Sequence, residues 1–70
     1  MGYRRSKKLL NEERLKLVGR AEAYRYAATV VEKDATHNGM NCRAVFETLD
    51  RVCMQEVADI DKELDERNAA

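Results

Sequence analysis

Seventy residues with no proline, three glycines and 37% charged side chains make one small domain. A chain this short buries too little surface for a generous core unless a disulfide, a metal or a partner adds to it. At 44% hydrophobic it is too apolar for simple disorder, and no apolar run approaches the roughly 18 residues of a membrane span, so no membrane partner is expected.

The first five residues read as a basic tail. Met1-Gly2-Tyr3-Arg4-Arg5-Ser6 formally fits an N-myristoylation pattern, but so short a pattern arises by chance, and a frayed basic segment is the expected reading. Leu9-Leu10 is followed at once by Asn-Glu-Glu-Arg, unlike the apolar heart of a secretory signal. A cytoplasmic protein is therefore expected. Cys42 and Cys53, on one helix, would sit roughly 16 Å apart, too far for a disulfide, and they read as reduced thiols.

Residues 6–70 form the domain. Helix 1 is expected over about 6–36. Leu10, Leu17, Tyr24 and Val31 recur every seven residues, with Ala21, Ala28 and Ala35 at the interleaved positions. At about 100° per residue these seven share one narrow stripe, an a/d seam, which Arg14 interrupts at one d position. A turn is expected over 37–41: Asn38-Gly39 tolerates a left-handed backbone after a helix, Asn41 is a good N-cap, and Met40 and Val45 stand at the two positions of a hydrophobic staple. Helix 2 is expected over about 42–67. Its stripe (Cys42, Val45, Phe46, Leu49, Val52, Cys53, Val57, Ile60 and Leu64) is wider than the first, and Glu56 sits within it.

These elements give an all-α fold, an antiparallel two-helix hairpin. A corner near Asn38 pairs residues whose numbers sum to about 77. Ala35 then meets Cys42, Val31 meets Val45 and Phe46, Ala28 meets Leu49, Tyr24 meets Cys53 and Leu17 meets Ile60. Arg20 falls opposite Glu56, and Arg14 near Glu63. Charge agrees with this pairing. Residues 1–20 hold seven Lys/Arg against two Glu, residues 21–40 two against three, and residues 41–70 four against eight acids, so a basic start lies beside an acidic end.

A hairpin alone leaves apolar surface over. Helix 2's apolar sector spans roughly 140°, more than one partner helix covers. Helix 1 carries a second apolar set, Leu15, Tyr26 and Val30 with Val18 at its edge, and beside it Gly19, Ala23 and Ala27 permit close helix approach. A homo-oligomer is expected, in the simplest case a two-fold dimer forming a four-helix bundle. Leu15, Gly19, Ala23, Tyr26 and Val30 are its expected interface with a second copy or with an unidentified protein partner, and the unused edge of helix 2's stripe is the other candidate surface.

Catalytic and metal chemistry find little footing. Asp34, His37 and Cys42 flank the turn without zinc-ligand spacing. A Cys–His nucleophile needs an orienting group in a cleft, and nothing here suggests one. The acidic run Asp59, Asp61, Glu63, Asp65 and Glu66 lacks the glycine of a calcium loop, and no phosphate-binding glycine motif occurs. No cofactor and no enzymatic activity are expected.

Nucleic acid or an anionic nucleotide is the alternative partner, met through the basic cluster Arg4, Arg5, Lys7 and Lys8. Helical-hairpin dimers that bind RNA exist, the Rop-type plasmid regulators among them, but the likeness is of architecture without a shared motif. Zero net charge and a pI near 6.6 favour protein interaction instead. By class analogy, the expected setting is that of small phage or mobile-element accessory proteins, inhibitors of host systems included.

Overall fold

The computed structural model describes residues 5–69. Two helices, α1 (Lys7–Val30) and α2 (Cys42–Ala69), pack against each other, joined by a corner that holds two short strands, β1 (Thr36–His37) and β2 (Met40–Asn41). The all-α antiparallel hairpin expected from periodicity is thus present. The myristoylation pattern, with Tyr3 and Arg4, lies outside the described residues.

The start of α1 follows its sequence. The Ser6 hydroxyl accepts the Leu9 amide at 3.1 Å, satisfying an amide that the first turn would leave unpaired. The end of α1 does not follow the heptad repeat. Periodicity carried the helix to about residue 36, whereas it stops at Val30, with Val31 extended at φ −76° and ψ 145°. Thr29-Val30-Val31 is a β-branched run that loses side-chain freedom in a helix. The Thr29 hydroxyl also donates to the Tyr26 carbonyl at 2.6 Å, competing with the backbone ladder. The last turn of α1 has no basic residue. Arg43 from α2 supplies one, donating to the Val31 carbonyl at 2.8 Å.

The corner differs from the expected helix cap. Thr36 pairs with Asn41 and His37 with Met40 in an antiparallel ladder. Between them Asn38 (φ 53°) and Gly39 (φ 77°) both take the left-handed region. Two consecutive positive φ angles on Asn-Gly are what a type I′ hairpin turn requires. The left-handed backbone was legible in the sequence, but it closes a two-residue hairpin and does not terminate α1. The Cys42 amide donates to the Ala35 carbonyl at 2.9 Å, so the expected Ala35–Cys42 pairing exists as a backbone bond. Asn41 caps α2 as anticipated, its Oδ1 accepting the Ala44 amide at 3.0 Å, while its Nδ2 ties the linker down by donating to the Lys33 carbonyl at 2.9 Å. From this cap α2 runs slightly past the expected end near residue 67, to Ala69.

The core is a single seam. Leu10, Leu17 and Ala21 of α1 pack with Cys53, Val57 and Ile60 of α2, flanked by Val18, Tyr24 and Leu64. Leu17 and Ile60 belong to it together, as the register required. Tyr24 packs against this cluster, which includes Cys53, and its ring also stacks on Phe46 with centroids 6.4 Å apart. Arg14, the misfit in the seam, swings to Asp61, with Nε to Oδ1 at 2.7 Å, rather than to the expected Glu63. Arg20 and Glu56 line one shallow groove, yet no ion pair within 4.0 Å joins them among the described residues. The molecule measures 49 × 23 × 16 Å. Its thinnest dimension is little more than the roughly 10–12 Å of one helix with its side chains, so the hairpin is a single layer with two open broad faces.

Candidate interaction surfaces

Three regions were singled out by sequence, and the structure treats them differently. On the outer face of α1, all five expected interface residues, Leu15, Gly19, Ala23, Tyr26 and Val30, lie exposed. Leu15 is 69% exposed, Tyr26 70% and Val30 61%, and what sets them apart is that the three share one face of the helix. The helix presents them because they sit opposite the buried file of Leu10, Leu17, Ala21 and Ala28 at about 100° per residue. Gly19 has nothing within 4 Å of where a Cβ would stand, so that stretch is open to the close approach of another chain.

The basic segment is largely occupied by its own chain. Arg5 ion-pairs with Glu13 and approaches Glu63 at 4.0 Å. Lys7 donates to Asn68 Oδ1 at 3.0 Å. Arg67 reaches back to the Arg5 carbonyl while holding Glu63 at 2.9 Å. Lys8 is exposed, and Arg4 lies outside the described residues. The charge gradient of the sequence therefore appears as a set of clasps at the open end of the hairpin.

At the corner, His37 and Cys42 line a hollow of about 360 Å³ with Asn38, Met40, Val45 and Phe46. A second hollow of about 340 Å³ lies beside it, lined by Met40, Asn41, Ala44, Val45, Thr48 and Leu49. Met40 and Val45, the anticipated staple pair, border both. Among the described residues no group of three or more His, Cys, Asp or Glu side chains is placed to hold a metal ion.

The apolar hollows were not foreseen. Helix 2's wide apolar sector was the available signal, but the hollows arise because α1 stops at Val30. The first turns of α2 then extend beyond their partner helix. Cys42, Val45, Phe46 and Leu49 are only half-buried, and Met40 is 59% exposed.

Two arginines bridge the helices, Arg25 exposed and Arg14 half-buried. Arg25 grips Asp50 through both Nε and an Nη at 3.1 Å, and Arg14 grips Asp61. In each case the hydrogen bond and then the charge of the carboxylate raise the guanidinium above its ordinary pKa, so both stay charged throughout the working pH range. No helix among the described residues is long and apolar enough to cross a membrane. Compared with protein-family models, with curated proteins and with solved structures, the chain matches none of them.

Proposed function

We propose that this protein is a non-enzymatic interaction module that acts as a homo-oligomer and binds a further protein partner. A phage or mobile-element accessory or inhibitor protein is the setting that its class suggests. The observation that carries this reading is the uncovered apolar outer face of α1, where Leu15, Tyr26 and Val30 are all more than half exposed. Apolar surface on both sides of one helix calls for a second packing partner, because water contact with large side chains is unfavourable by about 25 cal/mol per Å².

Light scattering tests the self-association, with absorbance at 260 and 280 nm recorded on the same peak. A mass at least twice the 8.1 kDa of the chain, with a protein-like ratio, is expected. A monomer would sink the oligomer, and a raised 260 nm signal would point instead to bound nucleotide or nucleic acid. Tyr26→Lys is expected to abolish partner binding or self-association. Unchanged mass and unchanged binding would remove the outer face from consideration.

A further inference from the structure

The two flanks of the seam are not alike. Arg14–Asp61 and Arg25–Asp50 bridge one flank. On the other, Lys16, Arg20 and Glu56 line one groove, and Glu56, Asp59 and Glu63 line the adjoining one. Residues seven apart share a helix face, so this second flank can be followed toward the corner. From Lys16 the file drifts through Ala23 to Val30, at the border of this flank with the outer face, and from Arg20 it continues to Ala27. On α2 the file from Asp59 runs back to Val52 and Val45, and the file from Glu56 to Leu49. One face of the hairpin is thus charged toward its open end, basic on α1 and acidic on α2, and apolar toward its corner on both helices. Val30 is 61% exposed and Val52 50%, while Val45 and Leu49 border the hollow beside Met40.

We propose that a second copy of this chain docks on this flank, related by a two-fold axis along the length of the hairpin, with both corners at the same end. The proposal rests on the self-association reading above and assigns it a face. Area and charge argue for it. A broad face of 49 by 23 Å has an outline of roughly 1,100 Å², against the roughly 800 Å² per partner of a standard stable interface. The apolar half alone falls short of that, so the charged half must join the contact. Rotation about the long axis lays α1 of one copy over α2 of the other at the same level. Val30 and Ala27 then meet the partner's Val45 and Val52, while Lys16 and Arg20 meet the partner's Glu56 and Asp59. Glu13, the one acid on the basic strip, is already held by Arg5. The antiparallel arrangement would press the apolar corner of each copy onto the charges of the other, burying ions without partners, which is costly. Self-association through this face leaves the outer face of α1, with Leu15 and Tyr26, free for the protein partner.

The test is dimer affinity by light scattering and analytical ultracentrifugation on the full chain. Val52→Lys is expected to weaken the dimer at least tenfold with helicity retained, and Tyr26→Lys to leave it unchanged. A chain with Lys16→Glu and Arg20→Glu, and another with Glu56→Lys and Asp59→Lys, are each expected to lose the dimer alone and to recover it when mixed, because α1 of each then faces an opposite charge on α2 of the other. A native monomer would overturn the self-association reading and this inference with it. A native dimer that survives Val52→Lys, or one lost in Tyr26→Lys, would overturn the face alone. Charge variants that dimerise as the native chain does would overturn the shared-end orientation.

Discussion

The open end and the corner end of the hairpin solve the same problem with different means. Toward the open end, Leu10, Leu17, Val57 and Ile60 are buried, and the clasps of Arg5, Lys7 and Arg67 close the seam over them. Toward the corner, Ala28 is the one buried hydrophobic residue among the described residues beyond Cys53, and Phe46, Leu49 and Val45 stay half-covered. One end is finished within the chain, and the other is left with apolar surface. In a single-layer fold, the unfinished end is where a further layer gains most from packing, since burial and not ion pairing supplies the larger part of association energy.

The sharpest break in this comparison is Leu10→Ala. Leu10 is fully buried, so the loss combines transfer and cavity terms and is expected to cost about 3 kcal/mol. In a domain this small that removes most of the stability, and chemical denaturation would show it as a large drop in midpoint. Leu49→Ala, at the half-covered corner, is expected to cost about 1 kcal/mol in the isolated chain. Its effect should grow with protein concentration if a second copy covers the site, because a ligand that binds only the folded state adds to apparent stability by mass action. A loss for Leu49→Ala equal to that of Leu10→Ala at every concentration would mean that the two ends are equally packed.

Gly39→Ala probes the corner backbone. Nothing lies within 4 Å of the added Cβ, yet φ is +77°, so the expected cost of about 1 kcal/mol is conformational and not steric. Asn41→Ala removes the N-cap of α2 and is expected to cost a similar amount, about 1 kcal/mol. The bond from Asn41 to the Lys33 carbonyl goes with it, so the linker should exchange amide hydrogens faster in this variant. Unchanged exchange there would show that the ladder of β1 and β2 holds the corner without it.

The hairpin itself was legible because its seam is a heptad file: Leu10, Leu17, Tyr24 on one helix and the stripe through Cys53, Val57 and Ile60 on the other. The start of α1 was legible because the period begins there, and the Asn41 cap because capping chemistry is local. The end of α1 was not. Val31 and Ala35 kept the period, and only the β-branched run and the Thr29 hydroxyl, both small effects, opposed it. The corner ladder was missed for a related reason. Asn-Gly permits both a helix terminator and a type I′ turn, and strands of two residues carry no period to choose between them. The spare apolar edge of helix 2 was legible in its wide sector, but the hollows at the corner were not, since a helix reaching residue 36 would have covered the first turns of α2. The outer face of α1 was readable from periodicity alone, because none of the described residues folds back over it.

The smallest expected effect concerns the bridged flank. Arg14→Met removes a bond to Asp61 whose two side chains are 39% and 46% exposed, and exposed pairs are screened by water and salt. The loss should therefore be less than that of Asn41→Ala and should shrink further as salt is added. Raising pH through the alkaline working range should not mimic it. Asp61 raises the Arg14 pKa, and a cation raised on folding contributes below its ordinary value and loses that contribution only as pH climbs through the folded one. An Arg14→Met loss that is large and indifferent to salt would mean that the aliphatic stem of Arg14 packs the seam, and that this flank, like the open end, is finished by contact and not by charge.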